Sequence, residues 1–117
     1  MAGLRDVVRA LAERPEVDAV VVLSSDGLPI DTAGRSGLDI EAVAALAATF
    51  AAGARRLGSA AECSGLNNSV LEFADRLAVL RPLGSEGHLF ILATRETNIG
   101  PLLVDLREQA PTLATLL

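Results

Sequence analysis

The spacing of apolar residues predicts one long helix over residues 39–58, around which the rest of the chain is arranged. Asp39 is a suitable N-cap because its carboxylate can accept from unpaired backbone N–H groups of the first turn, and Gly58 supplies a left-handed stop. Apolar positions recur at the helical period, so they are expected to form a stripe that lies on a sheet. The stripe consists of Ile40, Val43, Leu46, Phe50, Ala54 and Leu57.

The opposite face of this helix carries small residues where a solvent-facing helix normally carries charge. These residues are Ala45, Ala48, Thr49 and Ala52. Small side chains let a second backbone approach closely, so the sequence predicts a packing partner on this face as well. The alternative is that alanine, the best helix former, is present as filler.

The remaining segments alternate between short apolar strands and amphipathic helices. An N-terminal helix is predicted over residues 3–14, where Pro15 ends it, and a C-terminal helix begins at Thr97 or Asn98 and ends at Pro111. Turn sequences separate five predicted strands. The strands are expected at residues 17–24, 28–33, 67–74, 77–83 and 88–94. The order is therefore helix, hairpin, long helix, three-strand meander, helix.

This order predicts an α+β fold, an α/β sandwich in which a five-stranded antiparallel sheet carries helices on both faces. Residues 19–23 and 89–93 are continuous apolar runs, so they are expected near the middle of the sheet, covered on both sides. Pro29 cannot donate to a ladder on both sides and places its strand on an edge. The opposite edge falls to residues 67–74, which need protection or a partner.

Composition narrows the class of protein and its partners. A chain of 117 residues is interpreted as a single domain, 1–117, and a net charge of −5 argues against nucleic acid and anionic membranes as partners. The sequence has no basic and apolar signal segment at its start and no apolar run of membrane length. We therefore expect a soluble cytoplasmic protein without membrane insertion.

Candidate catalytic chemistry is confined to two residues, Cys63 and His88. They could act as nucleophile and base, but no orienting third residue is evident near either one. His88 is expected to be structural, and Cys63 to be a small buried apolar residue. The chain has no lysine and hence no P-loop, its glycines lack the dinucleotide-binding pattern, and its acidic residues do not cluster at metal-ligand spacing. We expect no enzymatic activity, no cofactor and no metal.

Three segments resemble the Roadblock family, which comprises dynein light chains of that name and bacterial gliding-motility regulators of small Ras-like GTPases. They are residues 20–30 (VVVLSSDGLPI) for the hairpin, the alanine-rich helix 39–58, and residues 97–103 (TNIGPLL) at the start of the last helix. The resemblance covers nearly the whole chain. It implies a profilin-like or longin-like sheet whose strands lie in the order second, first, fifth, fourth, third.

The resemblance also implies an assembly. Family members pair the third strand with its copy, which gives a homodimer with a ten-stranded sheet and two long helices side by side. The alanine face of the long helix then has a partner. The strand residues expected at this contact are Asn68, Val70, Leu71, Glu72 and Phe73.

The function implied by the resemblance is that of a scaffold that binds a small Ras-like GTPase and, in the gliding regulators, accelerates GTP hydrolysis. Glu41, Arg55 and Arg56 mark the ends of the alanine face and are expected to form the polar rim of the GTPase site. The two arginines could also clamp an anion, but basic residues at a helix C-terminus are ordinary partners of its dipole.

Two other hypotheses remain beside the scaffold. One is a profilin-like small-ligand sensor or adaptor without a GTPase partner, with a pocket between the long helix and the sheet. A ligand pocket should contain a few convergent polar groups, whereas the predicted sheet-facing stripe is wholly apolar, which favours a filled core. The other hypothesis is an enzyme that uses Cys63 or His88.

Overall fold

The computed structural model describes residues 3–117. Its elements follow the expected order of helix, hairpin, long helix, three-strand meander and helix. They are α1 (Leu4–Ala12), β1 (Val17–Ser24), β2 (Pro29–Gly34), α2 (Ile40–Ala60), β3 (Ser69–Glu72), β4 (Arg76–Leu83), β5 (Gly87–Thr94) and α3 (Ile99–Thr115). Within residues 3–117, no helix has the length and apolar character needed to cross a membrane.

The five strands form one antiparallel sheet in the order β2-β1-β5-β4-β3, which confirms the predicted strand order and the α+β class. β5 occupies the centre and β1 lies beside it, because both strands are apolar on both sides and need cover on both. β2 is an edge strand, where a proline such as Pro29 is tolerated. The other edge belongs to β3.

Helices cover the two faces of the sheet with cores of different character. The core under α1 and α3 is built mainly from large branched side chains, among them Val8, Leu11, Val20, Leu89, Ile91, Leu102 and Leu106. The core under α2 is smaller and combines alanines of the helix with large residues of the sheet. Since the two cores lie on opposite faces, the prediction of helices on both sides of the sheet is confirmed.

α2 rests on the sheet through alanines, and the stripe predicted for this contact is wrong for its largest members. The buried helix residues are Ala44, Ala47 and Ala51, with Ile40 and Val43 partly buried beside them. The sheet beneath presents Val21, Leu23 and Leu80, so small residues on the helix permit the closest approach. Leu46, Phe50 and Leu57 are exposed instead.

The ends of two helices differ from the prediction. Asp39 caps α2 as expected, its Oδ1 accepting from the Ala42 N–H at 3.1 Å, but Gly58 does not end the helix. The left-handed residue is Glu62, and the Cys63 N–H closes the end by donating to the Gly58 carbonyl. Pro111 lies inside α3 without stopping it, because the fully buried Leu113 anchors the following turn in the core.

Candidate functional site

An exposed apolar stripe runs along the flank of α2 that faces β3. Leu46, Phe50, Gly53 and Leu57 follow one another at intervals of four, three and four residues, which places them on one line of a helix surface. Leu46 and Leu57 expose 69% and 71% of their surface and Phe50 exposes 40%. Large apolar side chains in a row on a surface mark a contact with another molecule. We call these four residues the α2 stripe.

A groove of about 470 Å³ lies between the α2 stripe and strands β3, β4 and β5. Leu46 and Phe50 form its helical wall, and Leu71, Leu80 and Phe90 belong to its strand side. Among its lining residues in the described part of the chain, Thr49 and Ser69 alone carry polar side chains. The Thr49 hydroxyl donates to the Ala45 carbonyl at 3.1 Å. The groove therefore continues the apolar surface of the stripe.

β3 adds an open strand edge to the same side of the molecule. Val70, Leu71 and Glu72 lie in this strand as predicted, whereas Asn68 precedes it and Phe73 follows it. The predicted extent of residues 67–74 is too long because Phe73 already belongs to the turn, its N–H donating to the Arg76 carbonyl at 2.8 Å. Val70 and Phe73 are both exposed, with 44% and 52% of their surface accessible.

The three alanines of the predicted alanine face lie on the other flank of α2, beside the turn between β1 and β2, whereas Thr49 lines the groove. Ala45 and Ala52 are exposed and Ala48 is half-buried. A Cβ atom built on Gly27, whose φ is +85°, lies 3.1 Å from Ala45 Cα and from Ala48 Cβ. The small side chains therefore allow the β1–β2 turn of the same chain to pack closely against α2. A dimer contact through this face, as expected from the sequence, is untested and is the alternative to a contact through the α2 stripe.

The three predicted rim residues do not come together. Glu41 is exposed in the first turn of α2, and Arg55 and Arg56 follow about four turns later, roughly 20 Å along the axis. Arg56 is exposed and forms no ion pair within residues 3–117. The guanidinium of Arg55 already donates one hydrogen bond to His88, so it is only partly available to a partner. Glu41 and Arg56 thus remain free to meet a partner at opposite ends of the helix.

His88 is a buried imidazole held in its neutral form. The Arg55 guanidinium donates to its Nε2 at 3.1 Å, which leaves the proton on Nδ1. Nδ1 is buried and has no hydrogen-bond partner in the part of the chain that the structure describes. Burial lowers the pKa of His88 below its ordinary value of 6.5, and the positive charge of Arg55 lowers it further.

The neutral His88 predicts a stability that declines as the pH falls. Below pH 6.5 the His88 imidazole takes up a proton in the unfolded chain but stays neutral in the folded chain. The free energy of unfolding therefore decreases with falling pH until the pKa of the folded state is reached. The slope is at most about 1.4 kcal/mol per pH unit. Urea unfolding between pH 7.5 and 5 should show a decline that His88→Gln lacks. Parallel curves for the two proteins would contradict this assignment.

Cys63 is exposed, and its predicted burial is wrong. It follows the end of α2 in a segment that the sheet does not cover, and its Sγ lies 3.7 Å from the Ala61 carbonyl. Neither Cys63 nor His88 forms a nucleophile–base contact with the other. No group of three or more metal-ligating side chains occurs among residues 3–117.

Comparison with known proteins identifies the family. Residues 4–93 match the sequence profile of the Roadblock/LC7 domain. The chain belongs to the Roadblock/LC7 family. This confirms the resemblance to the family. The matched residues include the hairpin and the alanine-rich helix, whereas the start of the last helix lies beyond them. No curated protein matches the sequence.

Solved structures share the Roadblock/LC7 fold over almost the whole chain. A Roadblock/LC7 domain from Streptomyces avermitilis superposes with a TM-score of 0.87 at 24% identity, covering 97% of both chains. MglB from Myxococcus xanthus gives a TM-score of 0.89 at 19% identity, covering 97% of this chain and 93% of its own. The gliding protein MglB from Thermus thermophilus gives 0.86 at 12% identity, with coverage of 97% and 87%. At these identities the likeness establishes the fold.

Sequence reasoning about this Roadblock/LC7 domain missed the α2 stripe as a surface. Both sides of α2 are apolar, so periodicity alone does not decide which side meets the sheet. The turn glycine Gly27 was the available signal, because a close approach of the hairpin to α2 requires small residues at Ala45 and Ala48. That contact orients the helix with its leucines outward.

Proposed function

We propose that this Roadblock/LC7 domain is a non-enzymatic homodimeric platform that binds a small Ras-like GTPase. The observation that carries the proposal is the α2 stripe beside the open edge of β3. A monomer in solution leaves Leu46, Leu57 and Val70 in water together with an unpaired strand edge. Edges of this kind are normally blocked or paired. A second copy covers both features at once.

Dimerisation also gives the apolar groove an occupant. Its volume of about 470 Å³ lies in the range of small-ligand pockets, but the convergent polar groups that orient a ligand are missing from its lining. Leu46 and Phe50 of one copy can be covered by the same helix of the other around a twofold axis. We therefore assign the groove to the dimer contact and not to a small-ligand sensor. MglB has been solved in a tetrameric arrangement, so self-association occurs on this fold.

The GTPase partner is supported by the family resemblance and by the shape of the assembled surface. Two long helices side by side form a shallow, rigid platform with exposed charge at Glu41 and Arg56. Switch loops of a GTPase are ordered when the γ-phosphate holds them, so a platform that contacts them selects the GTP-bound form. The absence of an enzymatic role is part of the proposal: His88 Nε2 is occupied by Arg55, and Cys63 lies in an exposed segment.

Light scattering behind size exclusion tests both halves of the proposal. The chain alone should elute at about twice its mass of 12.1 kDa. Addition of a Ras-like GTPase from the same genome, loaded with a non-hydrolysable GTP analogue, should give a heavier peak that contains both proteins. A monomer at high micromolar concentration would defeat the dimer, and a dimer that binds no such GTPase would defeat the partner.

A further inference from the structure

The open edge of β3 offers a defined set of hydrogen-bonding groups. The Phe73 N–H donates to the Arg76 carbonyl, so Phe73 and every second residue before it direct their backbone groups to β4. Leu71 and Ser69 belong to that set. The N–H and C=O groups of Asn68, Val70 and Glu72 consequently point away from β4, toward whatever pairs with the edge.

The same three residues share a face of the sheet. Val70 lies opposite Val79, whose side chain is buried in the core under α1 and α3, so Asn68, Val70 and Glu72 project on the α3 side. On the neighbouring strand, Arg81 projects on this side too, and its Nη1 donates to Asn68 Oδ1 at 3.0 Å. The edge therefore presents a valine flanked by an arginine and a glutamate.

Arg81 lacks a counter-charge among the residues that the structure describes. It forms no ion pair in residues 3–117, and its Nε is buried without a hydrogen-bond partner. Burial lowers the pKa of Arg81, and the charge of Arg107 on α3 lowers it further. Glu72 is exposed and likewise unpaired in the same residues. A half-buried cation and a free carboxylate on one edge are complementary between two copies.

We propose that two copies pair through antiparallel β3 strands with Val70 on the twofold axis, so that the partner's Glu72 stands opposite Asn68 and neutralises Arg81. The inference rests on the proposed dimer and specifies its register. The partner's Glu72 is then two strand spacings from Arg81, about 10 Å between Cα atoms, a gap that an arginine and a glutamate side chain can bridge. Each copy contributes one carboxylate, so the dimer contains two such pairs.

Geometry restricts the alternatives to this register. Residues directly opposite each other in an antiparallel pair project on the same face of the sheet. A twofold axis perpendicular to the sheet must therefore place one residue of β3 opposite its own copy, and it cannot pass between two successive residues. An axis at Val70 joins all three sets of outward backbone groups in about six hydrogen bonds, whereas an axis at Leu71 joins about four. The Leu71 register also brings the two Glu72 carboxylates to a diagonal position on one face, where like charges repel.

Cysteine cross-linking distinguishes the two registers. In a Cys63→Ala background, Val70→Cys places two thiols across the axis with Cα atoms about 5.5 Å apart, within disulfide range, whereas Leu71→Cys leaves them about 8 Å apart. In a glutathione buffer at equilibrium, the Val70→Cys protein should form a covalent dimer and the Leu71→Cys protein should not. The opposite result, cross-linking of both, or cross-linking of neither in a protein that is dimeric by mass overturns the register. A monomeric parent protein instead overturns the proposed function.

A double-mutant cycle tests the ion pair itself. Glu72→Gln should raise the dimer dissociation constant about tenfold in the parent and leave it within about twofold in an Arg81→Gln background, because the carboxylate then has no cation to meet. Glu96→Gln removes the same charge from the exposed β5–α3 loop and should have no effect in either background. Equal weakening by Glu72→Gln in both backgrounds would show that the carboxylate acts without Arg81 and would overturn the pairing.

Discussion

Leu46→Arg should convert the protein to a monomer, whereas Ala52→Arg should leave the dimer intact. The two sites lie on the same exposed helix and receive the same side chain, but Leu46 belongs to the α2 stripe and Ala52 to the flank beside the hairpin. Comparison of the two variants therefore shows which flank of α2 contacts the second copy.

The expected change in the dimer dissociation constant follows from the apolar burial that is lost when Leu46 is replaced. A leucine that passes from 69% exposed to buried contributes about 1.5 to 3 kcal/mol, and a symmetric interface loses this contribution twice. Arginine adds the cost of a charge that is desolvated without a partner. The dimer dissociation constant should rise at least about a hundredfold. Light scattering over a dilution series measures it. Dissociation by Ala52→Arg with an intact Leu46→Arg dimer would return the interface to the alanine face.

Gly87→Ala should cause a large loss of stability for the addition of one methyl group. A Cβ atom at Gly87 meets the Leu23 carbonyl oxygen closely and Leu117 Cδ1 at 3.0 Å. The obstruction is backbone of the adjacent strand β1, which cannot rotate aside as a side chain can. Because β1 and β5 form the centre of the sheet, we expect about 2 to 3 kcal/mol of destabilisation and a melting temperature lower by roughly 10 °C.

Gly58→Ala is the matched control. It adds the same methyl group inside α2, where the nearest atom is Cys63 Cβ at 3.9 Å. Alanine in a helix is favoured over glycine by about 0.5 to 1 kcal/mol, so this variant should melt slightly higher. Thermal unfolding followed by circular dichroism at one protein concentration compares the two. A Gly87→Ala protein as stable as the parent would contradict the strand contact.

The sheet could be predicted because its signals are local. The apolar runs at residues 19–23 and 89–93 require cover on both faces, and Pro29 marks an edge, so strand positions follow from side-chain chemistry and backbone donors. The resemblance supplied the remaining order. Helix ends were less predictable. α3 continues past Pro111 because Leu113 is buried against the sheet, and this tertiary contact is not visible in the local sequence pattern.

The orientation of α2 and the environment of Arg81 could not be predicted from the sequence. The choice between an alanine face and a leucine face depends on the bulk of Leu23 and Leu80 beneath the helix. Arg81 was not singled out, because its burial and its bond to Asn68 appear only once β3 and β4 are in register. The roles of Glu41, Arg55 and Arg56 toward a GTPase stay predictions.

Titration calorimetry of the dimer with a Ras-like GTPase from the same genome shows whether the protein distinguishes the two nucleotide states. The GTPase is measured once with a non-hydrolysable GTP analogue and once with GDP. We expect the analogue-bound form to bind at least about tenfold more tightly, since the platform contacts loops that only the γ-phosphate orders. Equal affinity for the two forms would contradict a regulatory platform.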